Sequence, residues 1–291
     1  MRHRLAALSA GVLIAVSLAA RADDAAKKPA LGPAQGNERD ASSSVPQSRL
    51  EKAGRLPAPI TGPLPVGVEV DVYCSGYLGD RDEAFVGRVV NAEKERNQSM
   101  FMAGDVIYID IGAENGVQAG MEFTIVRPSR LVNRWGSERE FQGRIYMTPG
   151  RVRVLCAQER SSITEIIYSC NEVEVGDFVA PFEPLPVPLV RRTRPTTICD
   201  TPNGKPIGHV VDTRDAVTPV GTDTIVFLDL GEQDGLNPGD FLTVYHPSTQ
   251  AEGVRTVLGE AAILTTRTRS SVAIITSMVD FIAVGDAVEV K

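Results

Sequence analysis

From Val66 onward, apolar and polar residues alternate in short runs separated by Gly, Asp, Asn and Pro. VGVEVDVYC (66–74), AFVGRVVNA (84–92), DVIYIDIG (105–112), MEFTIVRP (121–128), GRVRVLCAQ (150–158), SITEIIYSC (162–170) and DFVAPF (177–182) each place branched or aromatic residues at every second position. That period is the mark of a half-buried β-strand. After a proline-rich stretch, PFEPLPVPLVRRTRPTT (181–197), the same kind of run returns: KPIGHVVDT, DTIVFLDLG, DFLTVYHP, GEAAILTTR, SSVAIITSM and DAVEV. Proline cannot serve a central ladder, so 181–197 predicts an extended linker or an edge strand.

The two series are copies of one another. Residues 108–128 align without gaps to 227–247, and Asp110, Gly112, Gly116, Gly120, Thr124 and Pro128 are identical to their counterparts. Residues 150–179 align without gaps to 259–288 with ten identities, including RSS at 160–162 and 269–271 and VGD at 175–177 and 284–286. VGRVV (86–90) is echoed by IGHVV (207–211). Three matched blocks in one order mean duplication, and repetition governs the fold. Each copy predicts six or seven strands, and strands in that number need closure or mutual packing to remove exposed edges. The expected fold is mainly β: two tandem, homologous, small β-barrel-like domains, one over 66–182 and one over 198–291, joined by a Pro-rich linker over 183–197.

Residues 1–22 have the layout of a secretory signal peptide: a basic start (MRHR), a short apolar core and an Ala20-Arg21-Ala22 cleavage site. Residues 23–65 are rich in Ala, Pro, Ser and Gly without a sustained period, and predict a disordered leader. The expected location is the periplasm of a Gram-negative bacterium. The formal charge is −7; removing Arg2, Arg4 and Arg21 takes it to −10, which argues against nucleic acid as a partner. Four cysteines, Cys74, Cys156, Cys170 and Cys199, suit disulfides in an exported chain and have no zinc spacing. Of three connectivities, the favoured one joins Cys156 to Cys170 across a hairpin and Cys74 to Cys199 at the starts of the repeats.

The repeated glycines Gly112, Gly116 and Gly120, with Gly231, Gly235 and Gly239, are read as turn residues. There is no GK[ST], and the segment after Gly120 alternates like a strand, so a phosphate loop is excluded. Gly176 and Gly285 in VGD are likewise turn positions. Asp110, Asp229, Asp177 and Asp286 lack the dense acidic loop of a calcium site and are read as turn caps through backbone N–H groups. The RSS serines have no G-x-S-x-G elbow, and beyond residue 22 the sequence offers only His209 and His246 as bases. The chain is therefore read as non-enzymatic, with no cofactor and no metal.

GDVIYIDIGAENGVQAGMEFTIVRP followed by GRVRVLCAQERSSITEIIYSCNEVEVGDFV resembles the C-terminal domain of flagellar assembly protein T, and the same pattern in secretin-associated LysM proteins of type IV pilus machines. Gly112, Gly116, Val117, Gly120, Phe123, Ser162, Val175, Gly176 and Asp177 occupy the motif positions. Gly231, Gly235, Leu236, Gly239, Asp240, Ser271, Val284, Gly285 and Asp286 repeat them. The resemblance implies a periplasmic protein supporting a secretin, pilus or flagellar ring, present here as two copies. Residues 23–65 are too short and irregular for a LysM module.

The copies differ most between Pro128 and Gly150, where the first has 21 residues and the second, between Pro247 and Gly259, has 11. The longer stretch carries the only tryptophan. Arg134, Trp135, Arg139, Phe141 and Tyr146 are of the types that dominate interface hot spots, and form the candidate partner-binding surface. The expected function is a non-catalytic structural or accessory role in an envelope complex, with oligomerisation open. The alternative is a peptidoglycan- or glycan-binding module that stacks sugar rings on the Trp135 loop.

Overall fold

The computed structural model describes residues 62–93, 98–133, 136, 141–190, 194–197, 199–218, 220–248 and 254–291. The signal-peptide reading and nearly all of the leader lie outside them. The described residues fall within one compact unit, Ile60–Lys291. In chain order the elements are β1 (Leu64–Pro65), α1 (Glu69–Tyr73), β2 (Tyr77–Gly79), β3 (Gly87–Ala92), β4 (Met100–Phe101), β5 (Val106–Ile109), β6 (Glu122–Asn133), β7 (Phe141–Ala157), β8 (Ser162–Ser169), β9 (Val173–Glu174), β10 (Phe178–Pro181) and β11 (Leu189–Val190). The second copy supplies β12 (Ile207–Thr213), β13 (Ile225–Leu228), β14 (Phe241–Pro247), β15 (Arg255–Thr266), β16 (Ser271–Met278) and β17 (Ala287–Val290).

Two six-stranded β-barrels result, in tandem. The first closes in the order β3-β5-β8-β7-β6-β10, with β10 pairing back to β3. The second closes in the corresponding order β12-β13-β16-β15-β14-β17. Every ladder is antiparallel and closure leaves each barrel no open edge, the solution the strand count calls for. Inward positions form one core per barrel: Val89, Ile107, Ile109, Ile125, Val152, Ile166 and Val179 in the first, and Val210, Val226, Leu228, Leu242, Ile263, Ile275 and Val288 in the second.

The repeated glycine stretch is a single 3₁₀ turn in both copies, Ala113–Asn115 and Glu232–Asp234. Gly116 and Gly235 follow it in the left-handed region, at φ 80° and 84°. Gly112 and Gly231 have extended backbones, and glycine is needed there for a different reason. A Cβ on Gly112 would stand 2.4 Å from the Gln158 carbonyl oxygen, and one on Gly231 2.4 Å from that of Arg267. The β7–β8 and β15–β16 hairpins press directly on these turns.

Three sequence expectations need correction. VGVEVDVYC contains a short helix, α1, whose first turn is capped by the Asp71 carboxylate, which accepts the Val68 N–H at 2.8 Å. Leu64 and Pro65, assigned to the leader, form β1 and pair with Val190 and Leu189 of β11. Asp110 and Asp229 do not cap their own turns: each carboxylate crosses to the neighbouring strand and accepts the backbone N–H of Arg88 or His209 at 2.5 Å. Asp177 and Asp286 do cap turns, accepting from Glu174 and Ala283 at 2.8 and 2.7 Å.

Candidate functional site

The extra residues of the first copy build an arm. β6 pairs with β10 only through Val126, and β7 pairs with β8 only from Gly150 onward. Beyond those points β6 and β7 pair with each other through Asn133 and Phe141, with β2 added alongside β7. Pro128, which has no N–H, sits in that stretch between two breaks in register that bend the ladder away from the barrel.

The arm lies against the outside of the second barrel. Val72, Leu78, Val132 and Ile145 pack with Val211, Ile225, Phe227, Leu264, Val272 and Ile274 in one buried cluster. The second-barrel members are the outward positions of β12, β13, β15 and β16, so those strands are buried on both faces. This explains the unbroken apolar run IVFL in β13, all four residues of which are buried. The first-barrel equivalent, VIYI, alternates between buried and half-exposed. At about 1.5–3 kcal/mol for each fully buried Ile, Leu or Phe side chain, this cluster stabilises the pair of barrels strongly.

Polar contacts set the register of the two barrels. The Arg130 guanidinium grips Asp212 through two bonds, at 2.6 and 2.9 Å, and also donates to the Thr213 carbonyl. Arg269 reaches Asp80 and Arg267 reaches Glu83, each at 2.7 Å, and the Ser270 hydroxyl donates to the Leu78 carbonyl at 2.6 Å. Arg267 also lies over the Tyr77 ring, 4.2 Å from its centre. The Tyr77 hydroxyl donates to Glu83 at 3.0 Å, and its ring stacks on Tyr146 with centres 5.1 Å apart. Burial first, and then the Glu83 carboxylate, push the Tyr77 phenol well above its ordinary range; burial likewise raises Tyr146.

Tyr146, proposed from sequence as a partner-binding residue, is 1% exposed and its hydroxyl donates to the Asp80 carbonyl at 2.9 Å. It does not belong to an exposed surface: it pairs with Pro128 in the bend and stacks on Tyr77 at the interface between the barrels. Arg134, Trp135 and Arg139 lie outside the described residues, and Phe141 is described only as a backbone pair of Asn133. The RSS repeat has diverged in use. Arg160 pairs with Glu114 within the first barrel at 3.5 Å, whereas its counterpart Arg269, together with Ser270, reaches across to the first barrel from the second.

The disulfide is Cys74–Cys170; Cys156 and Cys199 are free and exposed. The expected Cys156–Cys170 bond fails on register. Cys156 pairs with Ile163, seven residues before Cys170, which at the rise of a strand separates them by roughly 20 Å. Cys170 instead lies beside Pro149, whose carbonyl accepts its N–H, and Thr148 next to it holds the Tyr73 carbonyl. That brings Cys74, one residue on, to the same point. The bond fits an oxidising compartment.

Tyr73, placed by this bond, holds the segment that joins the barrels. Its hydroxyl donates to the Leu185 carbonyl at 3.1 Å and accepts the Leu185 N–H at 3.0 Å. The segment then runs over the second barrel, with Val187 on the interface cluster and β11 paired to β1. The part of the predicted linker up to Val190 is thus a strap, held at Leu185 by Tyr73 and at Leu189 and Val190 by β1. An open cleft of about 750 Å³ lies between Leu185–Leu189 and the Glu232–Pro238 turn.

His209 Nδ1 lies 3.3 Å from Asp229, and His246 Nδ1 3.0 Å from Asp286. Arg127 takes the place of His246 in the first copy and binds Asp177 through two bonds, at 2.7 and 2.8 Å. Among the described residues, no group of three His, Cys, Asp or Glu side chains is placed to hold a metal ion. No protein-family model matches this chain, and no curated protein matches it significantly.

Proposed function

We propose that this protein is a non-catalytic structural or accessory component of the cell envelope, exported to the periplasm, where it supports a ring complex such as a secretin, a pilus base or a flagellar ring. The observation that carries this reading is the arm. Residues that in sequence offer recognition or chemistry, Tyr146 and the second RSS among them, are used to fix one barrel on the other. A body so locked holds distances between surfaces. The Cys74–Cys170 bond favours an oxidising compartment, and the duplicated glycine-turn motif resembles one found in proteins of such machines.

Crosslinking in intact cells, followed by identification of what copurifies from the envelope fraction, tests the proposal. Recovery of a secretin, pilus or flagellar ring component is the expected result. Recovery with peptidoglycan alone, lost in Trp135→Ala, would replace it with the glycan-binding reading.

A further inference from the structure

The duplication supplies an internal comparison for every surface, and one pair of equivalent positions differs in a telling way. The Gly239 N–H donates to the Ile263 carbonyl at 2.8 Å, which sets Gly239 beside Leu264 on the outside of the second barrel. The Gly120 N–H donates to the Val154 carbonyl at 2.8 Å and sets Gly120 beside Leu155 on the first. The strap covers the second-barrel pair. A Cβ on Gly239 would lie 3.1 Å from the Leu189 carbonyl oxygen and 3.7 Å from Pro188 Cβ, and Val187 joins the cluster that holds Leu264 at 1% exposure.

The first-barrel pair is open. A Cβ on Gly120 would meet nothing within 4 Å, and Leu155 is 47% exposed. Met121 follows Gly120, its carbonyl accepts the Val154 N–H at 2.9 Å, and it is 40% exposed. The positions that flank this pair are the more apolar in the first barrel. Met121, Cys156 and Ala157 stand where the second barrel has Asp240, Thr265 and Thr266.

We infer that this end of the first barrel is a docking site for an extended, proline- and leucine-rich segment of a partner protein, seated as Val187–Val190 is seated on the second barrel. Prolines hold such a segment extended before it binds, which lowers the entropy cost of docking, and alternate apolar side chains pack against Leu155 and Met121. The strap's own sequence therefore defines the chemistry of the ligand.

The test uses a fluorescent synthetic peptide with the sequence of residues 183–190, EPLPVPLV, titrated against the full chain and followed by anisotropy. Saturable binding is expected, weakened about tenfold or more by Leu155→Glu, as loss of one buried leucine contact implies. It is unchanged by Val175→Glu, a control at an equally exposed valine in the β9–β10 turn. Cys156→Arg, at an exposed position, gives a second disruption that spares the core. Failure to bind, or binding indifferent to both Leu155→Glu and Cys156→Arg, would overturn the inference; the latter would mean that the peptide competes with the strap on the second barrel. Self-association of the chain without peptide, abolished by Leu155→Glu, would also overturn it, by making a second copy the occupant.

Discussion

The two turn glycines of each copy serve different physical ends, and substitution separates them. Gly116→Ala keeps open space around its new methyl group but forces a side chain into the left-handed region, at a cost of about 1 kcal/mol. Gly112→Ala drives the methyl into backbone atoms of 158–161, so it should cost clearly more, about 2–3 kcal/mol, and lower the denaturation midpoint accordingly. Urea unfolding of the two variants side by side checks the order. Tyr77 gives a pH signature at the same scale. Its folded-state phenol is raised above the ordinary value near 10, so the neutral form is what the fold favours. Its contribution is fully present below about pH 10 and is lost as pH rises through the folded-state value. Tyr77→Phe should cost about 1–2 kcal/mol at neutral pH, for the bond to Glu83, yet lose stability less steeply above pH 10. An unchanged alkaline limb in Tyr77→Phe would remove Tyr77 as its cause.

Among the elements, α1 and the strap depend on one bond. Cys74–Cys170 closes a loop across a separation of 96 residues and sets Tyr73 against Leu185. The Cys74→Ser, Cys170→Ser double variant should lose about 2–5 kcal/mol, and proteolysis should cut the strap near Leu185 faster than in the parent. Peptide mapping of the unreduced protein should find this one bridge, with Cys156 and Cys199 open to alkylation. The cysteines show how far pattern reading reaches. Their even number behind a signal-like N-terminus pointed to disulfide chemistry, but pairing is a matter of register, and the register at Cys156 is set by the turn over 158–161, which pairs it with Ile163 and leaves Cys170 far along β8. VGVEVDVYC fails for a local reason: the Asp71 carboxylate caps the Val68 N–H and closes one helical turn inside a strand-like period.

At the scale of the whole molecule, the arm makes two barrels into one body. Unfolding of 62–291 should be a single cooperative transition. Ile145→Asp, which places a charge in the buried interface cluster, should split it into two or shift it by about 3 kcal/mol or more. Phe227→Ala on the opposing face should have a similar effect, at about 3–5 kcal/mol. A variant that loses stability in both barrels equally, with one transition retained and no change in slope, would show that the cluster adds stability without coupling them.

What sequence alone determined here was local and repetitive. Period-two alternation, turn glycines and matched blocks are written in neighbouring residues, so the strands, the duplication and the barrel class were legible before any coordinates. Two clues to the interface were visible too: IVFL in β13 where VIYI stands in β5, and ten extra residues after Pro128. Tertiary structure decided what those clues meant. An apolar outward face, an arm of matching shape and the Arg130, Arg267 and Arg269 ion pairs lie far apart along the chain. Contacts of that range are chosen by three-dimensional packing, and no periodicity within a single strand encodes them.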